Sequence, residues 1–187
     1  MGIYCINAAR YLFRAEPTEV TAFQARSADP RFREVPEMVS ALMRFPDERL
    51  SAFTAGFGES KVSDYRLVGT KGDLRLEPAY SFDTDLFHYL TVDGQTEKTK
   101  LRRRDEVGPE IIYFSDCILN DLEPEPDGNK GLIDMQIIEA ILESASQNGR
   151  PVQLPKLEKR RRPTEEQDIK RPPVNEPDLV KAEPAVQ

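Results

Sequence analysis

The chain has 187 residues, of which 39% are hydrophobic and 32% charged, and its formal net charge is −7. This length is sufficient for one domain with a hydrophobic core, whereas the acidic balance argues against a nucleic-acid-binding protein. No apolar run approaches the ~20 residues of a membrane-spanning helix. The N-terminus lacks the basic and apolar regions of a signal peptide, so we expect no membrane association and a cytoplasmic location.

The first predicted element is a helix over residues 3–14, which ends before Pro17. A helix is normally preceded by a Ser, Thr, Asp or Asn residue that accepts hydrogen bonds from its first free N–H groups. Met1 stands where that capping residue is expected. The helix therefore begins without a cap in this sequence.

Alternation of apolar and polar residues predicts a series of strands after this helix. Asp93-Gly94 is the strongest hairpin signal, because both positions tolerate a positive φ. Residues 96–100 are polar on both faces, which is typical of an exposed edge strand protected by charge. The strands are expected at residues 19–25, 38–45, 50–57, 63–68, 73–77, 86–92 and 95–101.

Two helices follow the strands, at residues 109–120 and at about 131–147, each with an apolar stripe of helical period. Both cysteines, Cys5 and Cys117, fall in predicted helices and lack the spacing of metal ligands, so we expect free thiols. His88 shares a strand face with leucines, which favours a half-buried structural residue. Nothing in the sequence indicates a metal site.

This order of elements predicts an α+β fold: a large, mainly antiparallel open sheet with helices packed on one face, over residues 1–154. The pattern is not βαβ, and no Gly-x-Gly-x-x-Gly follows a strand, so we expect no Rossmann domain. Residues 155–187 are rich in proline and in charges of both signs. We expect a disordered tail, dispensable for folding after about Lys156. Its basic run at residues 159–162 is either solvated or a docking site for an anionic partner.

Several segments agree in order and spacing with one known family: Met1-Gly2-Ile3-Tyr4, residues 65–80, residues 109–118 and residues 123–141. Together they resemble the C-terminal domain of the Gfo/Idh/MocA (glucose–fructose oxidoreductase/inositol dehydrogenase) family, in its glucose–fructose oxidoreductase branch. The resemblance implies a domain that supplies the substrate pocket and an open sheet face for oligomerisation. In that family a separate N-terminal Rossmann domain, ending near a Glu-Lys-Pro motif, binds NAD(P).

The resemblance places Tyr4 at the position that exchanges the substrate's hydroxyl proton; the alternative is that Tyr4 only packs on its helix. Asn7 and Arg10, further along the same helix, either contact substrate or cap neighbouring loops. Tyr80 either reaches the sugar pocket or belongs to the core or rim.

The implied function is substrate binding and oligomerisation in an NAD(P)-dependent oxidoreductase acting on a sugar or polyol. The chain alone is expected to bind no NAD(P) and to be inactive, so a separate Rossmann-domain chain is an expected partner besides a second copy. The alternatives are a stand-alone, non-catalytic module that dimerises through its sheet, and a fragment of a disrupted gene. The family pattern Asp-x-Gly-x-Tyr predicts that the DNA directly upstream encodes Asp before Met1.

Overall fold

The structure is a computed structural model that describes residues 2–81, 84–101, 105, 107–158, 162–164 and 167–168. The helices are α1 (Gly2–Phe13), α2 (Val107–Leu119) and α3 (Gly128–Ser146). The strands are β1 (Glu19–Ala25), β2 (Met38–Arg44), β3 (Leu50–Gly56), β4 (Tyr65–Gly69), β5 (Gly72–Leu76), β6 (Leu86–Val92), β7 (Gln95–Leu101) and β8 (Val152–Gln153). A short 3-10 helix, Pro30–Phe32, lies between β1 and β2.

The described strands form two four-stranded sheets rather than one. The first sheet has the order β3-β2-β1-β8 and the second the order β4-β5-β6-β7. Every pair of neighbouring strands is antiparallel. The two sheets follow one another in sequence, except that β8 returns from the C-terminal side to pair with β1.

The hydrophobic core lies between the first sheet and the helices α1 and α3. Helix α3 packs along β1 and helix α1 packs on β3. Val20, Met43 and Ile137 meet there and are inaccessible to solvent. The other buried apolar residues of this core are Ile6, Ala9, Ala22, Ala41, Phe45, Ile133, Ala140, Ile141 and Ala145. The opposite face of the first sheet is open, with Phe23 and Leu42 exposed on it.

The expected α+β class with helices on one face of a sheet is confirmed, and the predicted strands and helices are present. Three features differ from the sequence-based expectation. The strands divide between two sheets, β8 was not predicted, and α3 begins at Gly128 rather than at 131. The earlier start of α3 has a local cause, because the Asp127 carboxylate accepts a hydrogen bond from the N–H of Lys130 and caps the helix.

A glycine shapes the turn between β4 and β5. A Cβ atom at Gly72 would lie 1.9 Å from the carbonyl oxygen of Thr91 on the neighbouring strand β6. Since no side chain fits such a contact, only glycine lets β5 and β6 approach at this end of the second sheet.

Cys5 and Cys117 are free thiols, and His88 is half-buried in β6. The described residues contain no group of three or more His, Cys, Asp or Glu side chains arranged to hold a metal ion. Within the same ranges, no helix has the length and apolar character needed to cross a membrane.

Candidate functional site

The N-terminal half of α1 presents Tyr4 to solvent, with 44% of the residue exposed. The helix lies close against the first sheet at this end, since a Cβ atom at Gly2 would lie 3.4 Å from the Phe53 ring. Tyr4 therefore lies on a helix that packs against the first sheet at Gly2, while Tyr4 itself remains accessible to solvent.

Tyr80 lies beside Tyr4, although the two residues are far apart in sequence. It follows β5 and adopts a positive φ of 57°, which is uncommon for a residue with a Cβ atom. The preceding residue, Ala79, is buried, and its N–H donates to the carbonyl of Ser63 at 2.7 Å. The Ser63 hydroxyl donates in turn to the Ala79 carbonyl. These two hydrogen bonds between Ser63 and Ala79 hold in place the backbone next to Tyr80.

Tyr4, Tyr65, Tyr80 and Cys5 form what we call the tyrosine cluster. The ring centroids of Tyr4 and Tyr80 are 5.9 Å apart, and those of Tyr65 and Tyr80 are 6.0 Å apart. Both distances lie in the range of favourable aromatic contacts. Since Tyr65 belongs to β4 and Tyr4 to α1, the cluster joins the second sheet to the first helix.

Burial determines the protonation of the inner members of this cluster. It raises the pKa of Tyr80 well above its ordinary value, and the neighbouring Cys5 and Tyr65 act in the same direction. Burial likewise raises the pKa of Tyr65 and that of the Cys5 thiol. Tyr80 is therefore a neutral phenol at physiological pH, whose oxygen retains lone pairs to accept a hydrogen bond.

Asn7 and Arg10 lie on the side of α1 that faces α3. Arg10 is fully buried, and its guanidinium donates to the carboxylates of Glu16 and Asp134. It also donates to the Asn7 side-chain oxygen at 3.2 Å, while the Asn7 amide donates to Asp134 at 3.2 Å. Arg162 completes this group through a 2.7 Å hydrogen bond to Glu16. We call these five residues the ion network.

The structure thus brings Tyr4 and Tyr80 together, and separates Arg10 from them. Arg10 contacts the loop residue Glu16, and its guanidinium is buried rather than on the surface beside Tyr4. Asn7 is half-buried one turn from Tyr4.

Sequence reasoning missed Tyr65, Glu16 and Asp134 as members of these groups. One signal was available: Asp134 is a charged residue between Ile133 and Ile137 on the buried side of α3. No local pattern indicated that Tyr65 would contact Tyr80.

An antiparallel α+β domain of this kind matches one domain of a class of oxidoreductases. The family model described as "Oxidoreductase family, C-terminal alpha/beta domain" matches residues 1–154. The chain belongs to the Gfo/Idh/MocA oxidoreductase family and carries its C-terminal domain.

Curated relatives are sugar dehydrogenases. The chain is 33% identical over 146 residues to "D-xylose 1-dehydrogenase [NADP(+)]" of Haloarcula marismortui. The aligned residues cover 78% of this chain and 40% of that protein. The chain is 27% identical over 156 residues to "D-xylose 1-dehydrogenase (NADP(+)) 2" of Haloferax volcanii, covering 82% and 46%. The chain therefore spans less than half the length of these two relatives.

The solved structures agree with this assignment. The aldose-aldose oxidoreductase from Caulobacter crescentus, complexed with glycerol, superposes with a TM-score of 0.75 at 31% identity, over 82% of this chain and 46% of that one. Levoglucosan dehydrogenase in complex with NADH and levoglucosan superposes with a TM-score of 0.64 at 19% identity, which supports the fold alone.

Proposed function

We propose that this chain is the substrate-binding half of an NAD(P)-dependent oxidoreductase acting on a sugar or polyol, with Tyr4 as the group that exchanges the substrate's hydroxyl proton. The observation that carries this proposal is the pairing of an exposed Tyr4 with the fixed, neutral Tyr80 in a domain of this family. The similarity to D-xylose 1-dehydrogenase and to an aldose-aldose oxidoreductase favours an aldose as the substrate.

The two tyrosines have different roles in this proposal. Tyr4 is the residue on the solvent side, so its oxygen is accessible to a carbinol hydroxyl; in its phenolate form it accepts the carbinol proton as the alcohol is oxidised and becomes the neutral phenol. Tyr80 is held neutral by burial, and its free lone pair accepts a hydrogen bond from a second sugar hydroxyl. Tyr4 exchanges the proton, and Tyr80 orients the sugar ring whose hydroxyl is oxidised.

NAD(P) supplies the hydride acceptor in the family's chemistry, but the described residues do not fit that cofactor. A dinucleotide pyrophosphate binds where a parallel strand enters a helix through a glycine-rich turn. The described strands pair only in antiparallel fashion. We therefore assign substrate binding and proton exchange to this chain, and cofactor binding and hydride transfer to another domain or chain.

A chimera tests the role of Tyr4. The cofactor-binding part of the Haloarcula marismortui relative is joined ahead of Gly2, and reduction of NADP+ is measured with D-xylose and other aldoses. Tyr4→Phe should lower kcat by about 100-fold or more, the usual contribution of a general acid–base group. Tyr11→Phe is the matched control, because Tyr11 lies on the same helix and is also 44% exposed. Equal activity of the Tyr4 and Tyr11 variants would remove Tyr4 from the mechanism.

The assignment of cofactor binding to another domain or chain is tested with this chain alone. Titration with NADH, followed by the nucleotide's fluorescence, should give no saturable binding at micromolar concentrations. Saturable binding would contradict the assignment of the cofactor to another domain or chain.

A second, non-catalytic function is sheet-mediated self-association, and the second sheet favours it. Leu67, Leu74 and Leu90 lie in register on three neighbouring strands, and none of them is fully buried. A contiguous apolar surface of this kind normally marks an interface, and a second copy of the chain is the proposed occupant.

Light scattering at high micromolar concentration should show a dimer. Leu90→Glu should dissociate it, whereas Leu42→Glu should not, although Leu42 on the open face of the first sheet is equally exposed, at 44% against 42%. A monomer in the unmodified chain would exclude this function.

A further inference from the structure

The segment that follows β8 returns across the junction of α1 and α3. The family model ends at residue 154, and the N–H of Leu154 donates to the carbonyl of Thr18 at 2.9 Å. Beyond that boundary, Leu157 packs against the hydrophobic core. Arg162 then reaches Glu16 with a side chain that is only 8% exposed.

Arg162 occupies a position where the ion network needs a positive charge. Among the described residues, Arg10 and Arg162 are the cations that form ion pairs with the two carboxylates of the α1–α3 junction, those of Glu16 and Asp134. Without Arg162, one negative charge would remain uncompensated at side chains that are 5% and 12% exposed. Burying an unpaired charge is strongly unfavourable.

The geometry gives each oxygen of the Glu16 carboxylate its own arginine. Arg10 donates through Nε to Oε2, and Arg162 donates through Nη2 to Oε1 at 2.7 Å. Burial is the largest influence on the Arg162 guanidinium and lowers its pKa, whereas the adjacent Glu16 carboxylate raises it. The cost of burying Arg162 is therefore offset by the same group that it neutralises.

We infer that Arg162, together with Leu157, ties the chain beyond β8 to the α1–α3 junction as a strap, so that a residue beyond the family domain holds the helix on which Tyr4 lies. The folding unit then ends after Arg162, which revises the expectation that everything after about Lys156 is dispensable. The inference concerns the attachment of α1 and stands whether or not Tyr4 exchanges a proton.

Two truncations of the full chain test where the folding unit ends. Removal of residues 169–187 should leave the melting temperature within 1–2 °C of the full chain. Removal of residues 159–187, which takes Arg162 away, should lower it by about 5–10 °C. Equal melting temperatures of the two truncations would overturn the inference, as would a large loss from the shorter deletion.

Point variants distinguish the effect of losing the Arg162 charge on the melting temperature from the effect of removing the residues around it. Arg162→Met should lower the melting temperature nearly as much as the longer truncation, and Arg162→Lys should lower it less, because it keeps the charge but not the planar guanidinium. Lys156→Met is the matched control, since it removes one positive charge from an exposed position of the same segment.

Amide hydrogen exchange distinguishes a strap from general stabilisation. In Arg162→Met, the amides of α1 should exchange at least 10-fold faster, while those of β6 and β7 should keep their rates under conditions where local opening dominates. A uniform acceleration over α1 and the second sheet, or no acceleration, would contradict the proposed attachment. If the Met variant does not fold, the same comparison is made with Arg162→Lys.

Discussion

The two sheets of this chain have the same number of strands and the same antiparallel pairing, but very different surroundings. In the first sheet, Val20 and Met43 are inaccessible to solvent under α1 and α3. In the second sheet, every residue of the four strands is at least partly exposed. The first sheet is therefore one layer of the hydrophobic core. In the second sheet, the leucines at positions 67, 74 and 90 form a row whose side chains remain partly exposed to solvent.

This difference separates a part of the domain that holds the hydrophobic core from a part with an accessible apolar face. The first sheet buries its apolar side against α1 and α3 of the same chain, which completes one hydrophobic core. The second sheet gains stability from its hairpins and from surface contacts such as the Arg75 guanidinium, which lies 4.5 Å above the centre of the Tyr89 ring. It therefore has surface available for a second copy or another domain. The tyrosine cluster lies where the two regions meet.

The largest expected effect comes from removing a charge on the side of the hydrophobic core. Arg10→Met would leave two buried carboxylates short of a partner, and we expect a loss of about 3–5 kcal/mol in the free energy of unfolding. Arg75→Met, which breaks an exposed ion pair with Glu77 in the second sheet, should cost less than about 1 kcal/mol. Urea unfolding at one fixed protein concentration measures both values. Similar losses would mean that the two sheets do not differ as described.

Apolar truncations sharpen the same contrast with a somewhat smaller effect. Met43→Ala opens a cavity in the hydrophobic core and should cost about 2–4 kcal/mol. Leu74→Ala, on the central part of the second sheet, should cost about 1 kcal/mol in the monomer, because its side chain already contacts solvent. If Leu74→Ala costs as much as Met43→Ala at low protein concentration, the second sheet is covered by its own chain.

The sequence predicted the local elements of both regions, because strand alternation and helical stripes are short-range signals. It did not predict that the strands divide into two sheets, since this depends on which edges pair, and β8 pairs its Gln153 with Glu19 of β1 across a sequence separation of 134. The two residues of β8 are also too few to show a period. Local periodicity thus gave the elements and left their assembly undetermined.

The candidate site shows the same limit. Tyr4 became a candidate through the family resemblance and Tyr80 through its place at the end of a strand, but their proximity depends on the two hydrogen bonds between Ser63 and Ala79. The ion network was harder to predict, because the role of Arg10 depends on Asp134 and Arg162, which are distant in sequence. A buried charge on a helical stripe signals that a partner exists, but it does not identify that partner.

The smallest expected effect concerns the junction between the two regions at alkaline pH. The pKa values of Tyr65 and Tyr80 are raised in the folded protein, so the unfolded chain loses these phenolic protons first, above pH of about 10. Stability is therefore fully retained below pH 10 and falls as the pH rises from there towards the folded-state pKa values. In urea unfolding between pH 9 and pH 11.5, Tyr80→Phe should make this decline shallower, because it removes one of the two groups. Tyr89→Phe is the control, since its ring lies against Arg75 and Lys98 and outside the junction. An unchanged slope in Tyr80→Phe would show that ionisation elsewhere governs alkaline unfolding, and that the tyrosine cluster does not hold the second sheet to α1.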